Sequence, residues 1–356
     1  MIVVEVTLRQ LDGTRVAILS DFEALHVHTG RSRLGGVAWQ VGGEPRALDL
    51  YEMLEPDMLM EVRWRDDAAG IAPRVEAQAL LLDRHLWRDD TGWHLQAVGA
   101  DLGHLLQRTM CYAEANTAAA IKSGATETVI KAFVTQEVMR AGHPDLTVAA
   151  DAAGGAAITV NGFNKSLLEI CQTARHQNGG DYTMVADANA DVVFDWVPGG
   201  LGTDRRTTTR FGLSYGNVTN PSLTHKRSAQ VSHVLVMGQG EGADRERVLV
   251  VDAVLAAESK WGRIERTRDA RDVPEGDTTQ LIARGAEVLN QNATLRRWDF
   301  EVLQTEGTRY GRDYFLGDLV RAELGRDWVD RVIGGVALTL GNDMPPTFEI
   351  KTEDLV

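Results

Sequence analysis

The chain has 356 residues, enough for two or three domains with cores of their own. It carries 37 Lys and Arg against 51 Asp and Glu, for a net charge of −14 and a pI near 5.1. That balance speaks against non-specific nucleic-acid binding, which needs basic surfaces to replace counterions, but an acidic wall can stand beside DNA and let it pass without sticking.

The N-terminus alternates from its first residues, with no basic n-region and no long apolar h-region, and no run of about 18 apolar residues follows, so the sequence reads as a soluble chain without a signal peptide or membrane span. Residues 1–100 read as strands: Ile2–Leu8, Arg15–Leu19, Val37–Val41, Met58–Trp64 and Val75–Leu82, then a hairpin over Leu86–Val98 with turn chemistry at Asp89-Asp90-Thr91-Gly92. Short strands at this spacing predict a barrel or sandwich. The pattern changes after Gly99. Asp101 caps a short helix carrying Leu102, Leu105 and Leu106. Thr126–Met139 places Val129, Ile130, Phe133, Val134 and Val138 at helical spacing, and Asn164–His176 does so with Leu167, Leu168, Cys171 and Ala174 before a Gly179-Gly180 stop. Strands at Tyr182–Ala186 and Val192–Val197 follow, and Pro198-Gly199-Gly200-Leu201-Gly202 is a hinge-like turn. From Arg210 the chain is strand-rich again. Val231–Met237 and Val248–Leu255 flank a Gly-rich turn. Glu275–Ala293 is a third helix, capped by Thr278 or Asp277, with Leu281, Ile282, Val288 and Leu289 on its apolar face. Strands at Leu295–Gln304, Leu319–Leu324, Arg331–Leu340 and Thr347–Lys351 close the chain. The fold class predicted is β-rich, multidomain α+β, with two tube-like β-barrel or sandwich domains, 1–104 and 201–356 (the latter with a helix over 277–292), and a small α+β insertion over 105–200.

A faint internal repeat underlies the two β stretches. Shifted by 261 positions, Val37–Asp66 lies over Trp298–Asp327 without a gap. Val41 then meets Val302, Asp57 meets Asp318, Arg65 meets Arg326, Asp66 meets Asp327, and Trp39 meets Phe300. Met58-Leu59 meets Leu319-Val320. The shared pattern is a strand, a polar excursion, a turn carrying Asp and a second strand, and two such units in one chain suggest a ring-building protein.

Enzyme-like signals are few. Gly238-Gln-Gly240-Glu-Gly-Ala243 matches Gly-x-Gly-x-x-Ala after an apolar strand, with Glu258 fifteen residues on. A dinucleotide site needs a helix straight after the glycines, whereas residues 247–254 are β-branched and predict a hairpin return. His26-Val-His28 sets two imidazoles on one strand face without the third and fourth ligands that a metal site requires. His225 and His233 receive no role. Asp66-Asp67 and Asp89-Asp90 are sequence neighbours and read as turn or solvent acids, not as a carboxylate pair spanning a cleft. Cys111 and Cys171, both in apolar contexts, read as buried free thiols of a reducing compartment. The basic cluster Asp204-Arg205-Arg206 with Arg210 reads as an interface that pairs with carboxylates of a neighbouring subunit rather than with phosphate. Trp39, Trp64, Trp87, Trp93, Trp196, Trp261, Trp298 and Trp328 fall largely on strands and read as core or subunit packing. No catalytic, cofactor-binding or metal-binding residue is assigned.

Several segments, in order along the chain, resemble siphophage tail-tip hub proteins. Gly99–Arg108 is similar to the segment that leaves their first β domain, Leu168–Val185 to their helix-then-strand signature, and Gly202-Thr-Asp-Arg205 to their Gly-x-Asp-Arg turn. Val231–Arg247 and Tyr314–Val320, within Tyr310–Val320, complete the series. The resemblance implies a structural baseplate-hub protein, similar to the hub of contractile tails: a homotrimer with pseudo-sixfold symmetry that joins the tail tube to distal tail, tip or fibre proteins and lines a lumen through which DNA passes without specific binding. It implies no cofactor. Some relatives add a C-terminal lytic domain, whereas this chain stops at Val356 just after its last β unit, which speaks against wall hydrolysis. The alternatives are a carbohydrate-binding β-sandwich using tryptophans, and a nucleotide-dependent enzyme or hydrolase using Gly238–Ala243, which predicts a helix over Ala243–Leu255.

Overall fold

The computed structural model describes residues 2–112, 120–143, 145–292, 295–325, 327–341 and 344–353, and the chain divides into two compact units, Met1–Pro221 with Phe300–Val356, and Ser222–Asp299. The first unit opens with β1 (Ile2–Arg9), β2 (Arg15–Leu19), β3 (Ala24–Gly30), β4 (Gly36–Gly42), α1 (Arg46–Met53), β5 (Leu59–Asp66), β6 (Ile71–Arg88), β7 (Trp93–Asp101) and α2 (Gly103–Arg108). A compact α+β stretch follows: β8 (Ile121–Ala125), α3 (Thr126–Ala141), β9 (Leu146–Val148), β10 (Ala157–Asn161), α4 (Leu167–Asn178), β11 (Asp181–Ala186) and β12 (Val192–Val197). After β13 (Arg210–Phe211) the chain leaves along β14 (Val218–Lys226). The second unit holds β15 (His233–Met237), β16 (Arg247–Val251), α5 (Ala253–Glu258), β17 (Glu265–Asp269) and α6 (Thr278–Gln291). The return runs through β18 (Leu295–Val302), which pairs with β14, and the first unit ends with β19 (Leu319–Leu324), β20 (Asp327–Gly341) and β21 (Met344–Glu353).

The β-rich α+β class shows in the alternation of strands such as β4. On β4 the side chains of Val37, Trp39 and Val41 are buried while Ala38 and Gln40 are half-buried, as a two-residue period requires. Eleven strands of the first unit form one sheet, ordered β13-β19-β20-β3-β4-β7-β6-β5-β1-β2, with β21 also on β20. Both tube-like stretches expected from the sequence contribute to it, and the join is the antiparallel pairing of β3 with β20, Gly30 opposite Gly335 through Ala24 opposite Gly341. The first half of β20 pairs with β19, Val332 opposite Leu319. The change of partner falls at Gly334-Gly335, where the β21 register also shifts. A Cβ on Gly334 would stand 2.2 Å from Glu353 Cγ, so a larger residue there would have to displace the Glu353 side chain.

One core fills the sheet's inner face, from Val6 and Leu8 through Trp39 and Trp64 to Tyr314, Val320 and Leu338. A second core lies under α2, α3 and α4 and takes in Leu59 and Leu80, so the α+β stretch covers the other face of the β5–β6 pair. Helix α4 begins with a capping box, the Ser166 hydroxyl accepting from the Glu169 amide while the Glu169 carboxylate accepts from the Ser166 amide, and it ends at Gly179 with φ +72°. The second unit has its own core, α6 packing Leu281, Val288 and Leu289 against Val234 and Val236.

Three local expectations change. The strand expected over 248–255 ends at Val251, because the Asp252 carboxylate accepts from the Val254 and Leu255 amides and caps α5. Helix α6 starts at Thr278 rather than at Glu275, with Asp277 as its cap. The polar excursion after β4 contains α1, whose eight residues bury only Ala47 and Leu50 and so give little periodic signal.

The internal repeat is visible as elements. Its first half spans β4 and β5, its second β18 and β19. Trp39 and Phe300, Val41 and Val302, and Leu59 and Val320 are buried in pairs. The strand partners differ: β4 pairs with β3 and β7, whereas β18 pairs with β14. Arg326 lies outside the described residues, as do Ala293 and Val356 and the side chain of Trp298.

Candidate functional site

The residues that the sequence offered for chemistry take structural positions. Residues 238–243 form the connection between antiparallel β15 and β16, with Gly240 at φ +91° and Gly242 at φ +56°, and a single 3-10 turn over Gly242–Asp244 leads into the strand β16 rather than into an α-helix. No α-helix N-terminus therefore meets those glycines, and the geometry of a dinucleotide site is missing. His26 and His28 are exposed on β3 opposite Thr339 and Ala337, and no group of three or more His, Cys, Asp or Glu among the described residues is placed to hold a metal ion. Asp66 accepts from the Ala68 amide at 3.2 Å, and Asp89 from the Thr91 amide at 2.8 Å, both at turns. Cys111 and Cys171 are free and buried, and burial pushes the Cys111 thiol up to about 12 and that of Cys171 higher still, so neither is a ready nucleophile. Trp39, Trp64 and Trp196 are buried, Trp87 and Trp93 half-buried, and Trp328 and Trp261 exposed, Trp261 almost wholly (99%).

The arginine cluster is the main correction. Arg205 and Arg206 were expected to meet carboxylates of a neighbouring subunit, but they meet those of their own chain. Arg205 Nε donates to Asp318 Oδ2 at 2.6 Å, and Arg206 reaches Asp204 and Asp330, each at 2.6 Å. The cause is topological, since residues 203–211 run beside β19: the Leu319 amide donates to the Thr203 carbonyl and the Arg205 amide to the Leu319 carbonyl. Asp318, almost fully buried, also accepts from the Thr203 and Phe315 amides at 2.6 and 2.8 Å. The two motifs at 202–205 and 314–320 thus form one contact. Gly202 (φ +87°) and Gly317 (φ +90°) cross so closely that a Cβ on Gly202 would lie 2.2 Å from the Gly317 carbonyl carbon.

Two further buried nodes hold this part of the molecule, and sequence spacing gave no hint of either. Asp181 is fully buried and accepts from Arg31 at 2.7 Å, Ser32 Oγ at 3.1 Å and the Leu201 amide at 2.8 Å, while Arg175 stands 3.4 Å away and reaches Glu353 at 2.9 Å. It joins the β3–β4 loop, the end of α4, the hinge-like turn and the last strand. A cavity of about 390 Å³ opens beside it, lined by Arg31, Arg175, Asn178, Gly199, Gly202 and Thr203, but both guanidinium groups are already engaged by carboxylates. The second node is Glu76, which accepts from Trp64 Nε1 and Tyr310 Oη, both at 2.7 Å, with the Arg74 guanidinium over the Tyr310 and Phe315 rings. Burial pushes the Glu76 carboxyl above the usual carboxylate range, against the pull of these two donors and of Arg74. All three nodes clamp distant segments together, and none presents a nucleophile, an acid–base pair or an open ligand position.

Charge is segregated between the units. Residues 222–299 hold twelve basic and twelve acidic residues, whereas the first unit holds 25 and 39 and so carries the whole net charge of −14.

Solved structures share this fold. The 43 kDa tail protein of prophage MuSo2 from Shewanella oneidensis matches with a TM-score of 0.58 at 12% identity, over 99% of this chain and 97% of that one. The tail protein from Neisseria meningitidis MC58 matches with 0.58 at 11% identity, over 99% and 96%. Prophage tail protein gp18 from Listeria monocytogenes EGD-e matches with 0.50 at 10% identity, over 98% and 94%. No curated protein matches by sequence. The model of the family described as Siphovirus ReqiPepy6 Gp37-like protein matches residues 74–351.

Proposed function

Because the chain belongs to the family of Siphovirus ReqiPepy6 Gp37-like proteins and has the fold of phage tail proteins, we propose that it is a structural virion protein of a phage tail tip, the baseplate hub. In this reading three chains close a ring that joins the tail tube to distal tip or fibre proteins and surrounds the path of DNA exit. Residues 1–104 and 201–356 supply the two tube-like parts and 105–200 the insertion. The protein acts mechanically, without catalysis, cofactor or metal. DNA passes the lumen unbound.

The observation that carries this reading is the family match across 74–351. The charge distribution supports it. A sheet-bearing unit with a net charge of −14 repels a phosphate backbone, and Arg205 and Arg206 are engaged by Asp318, Asp204 and Asp330. The buried nodes suit a part that must transmit load without changing shape.

Light scattering on the purified protein, followed by particle imaging, tests the reading. Three chains per particle and a threefold ring with a central hole are expected, together with capture of the tail tube and adjoining tip proteins. A monomer at high concentration that captures neither would overturn it.

A further inference from the structure

The second unit packs its helix α6 on one face of a three-stranded sheet. Its sheet, ordered β16-β15-β17, buries Val234 and Val236 under α6. The register sets Leu235 opposite Leu249 and Thr267, His233 opposite Val251 and Glu265, and Met237 opposite Arg247 and Asp269, all on the other face. A solvated sheet face is expected to be polar. Here Leu249 is 46% and Val251 42% exposed beside half-buried Leu235 and Met237. A groove of about 560 Å³ runs over Leu235 and Leu249 between Arg263, Glu265 and Thr267. Three guanidinium groups stand on or beside this face, Arg245, Arg247 and Arg263, against the carboxylates of Glu265 and Asp269. In a chain of net −14 it is an apolar face with a surplus of positive charge.

We propose that this face docks on the first unit of a second copy of the chain and closes the ring. This rests on the ring reading above and names its contact. Two observations select the occupant. The first unit carries all of the net negative charge, so a copy's first unit is attracted to the arginine-rimmed face, whereas two first units repel each other. Among the described residues β2 is also the terminal strand of the first unit's eleven-stranded sheet, with Ile18 on it 49% exposed and Leu11, in the turn before it, 54% exposed. The two surfaces differ, so the contact is head-to-tail, which generates closed rings where the rotation closes.

The test uses the full chain and two substitutions, Leu249→Asp on the second unit and Ile18→Asp on the edge. Each is expected to reduce the light-scattering mass from three chains to one, with the circular dichroism and denaturation midpoint of the parent. Mixed in equal amounts, the two are expected to form a dimer, since one intact face meets one intact edge; a like-with-like contact cannot rescue in this way. Arg263→Glu, a change at an exposed side chain, serves in place of Leu249→Asp if that variant misfolds, and is expected to weaken the trimer more at low salt than at high salt. Either variant remaining trimeric, or a mixture remaining monomeric, overturns the proposal and leaves the ring reading standing. A trimeric Leu249→Asp variant that loses a tail protein reassigns the face to that partner. A monomeric parent overturns the ring reading and this contact with it.

Discussion

Glu76 sits at a bulge. On β5 and β6 the pairing steps from Val62 opposite Ala77 to Arg63 opposite Val75, passing over Glu76, and a bulge re-aims the extra side chain. Alternation along Val-Glu-Ala-Gln-Ala therefore could not reveal that this carboxyl meets Trp64 and Tyr310. Glu76→Ala leaves both donors buried without an acceptor and is expected to cost roughly 2–4 kcal/mol in chemical denaturation, with Glu76→Gln costing less because its carbonyl still accepts. The sign of the pH dependence follows from the raised pKa: the native state holds this proton more tightly, so its contribution is fully present below the ordinary value near 4.5 and is lost as pH rises through the raised one. The Gln variant is expected to lack that loss. His94 behaves alike at higher pH. Its hydrogen bond to Glu23 at 2.9 Å and that to Asp89 at 3.1 Å raise its pKa, so stability present below the ordinary value of 6.5 declines as pH rises through the raised one. Comparing His94→Gln with the parent across neutral to alkaline pH is expected to show the decline in the parent alone.

Strand existence was legible where burial alternates, as on β4, and helix ends where a cap and a glycine bracket an apolar stripe, as at Ser166 and Gly179 on α4. Strand partners were not legible. β4 and β18 share a pattern but pair differently, because pairing is decided by what stands alongside, sometimes 300 residues away. The motifs at 202–205 and 314–320 were each visible, and only folding shows them to be one contact through Asp318. Their tightest point is the crossing of Gly202 and Gly317. Gly317→Ala adds a Cβ 2.6 Å from Leu201 at a positive φ and is expected to destabilise by about 2 kcal/mol or more, whereas Gly199→Ala in the neighbouring turn, where an added Cβ meets nothing, is expected to be nearly neutral. Thermal melts of the two variants side by side check this.

For the molecule as a whole, the sequence suggested β domains in series, with no boundary expected at residues 222 or 299, where the second unit begins and ends. The cores show the division instead, since the second unit's core shares no residue with the other two. Replacing 222–299 with a short linker is expected to leave the first unit folded, because the Leu303 amide already donates to the Asn217 carbonyl at 2.9 Å and holds the cut ends together. A single cooperative transition in denaturant supports this, and a non-cooperative one overturns it. The pairing of β3 with β20 also fixes an order of events during synthesis. Strand β3 leaves the ribosome long before its partner on one edge, since Gly30 pairs with Gly335. Until residue 341 has emerged, that edge has open amides and carbonyls, which is the template that misassembly uses. Loops of this length make folding slow. Nascent chains arrested before β20 are therefore expected to be captured by chaperones or to aggregate, and chains arrested beyond β21 to resist protease, so the sheet completes itself only once β20 and β21 have been made.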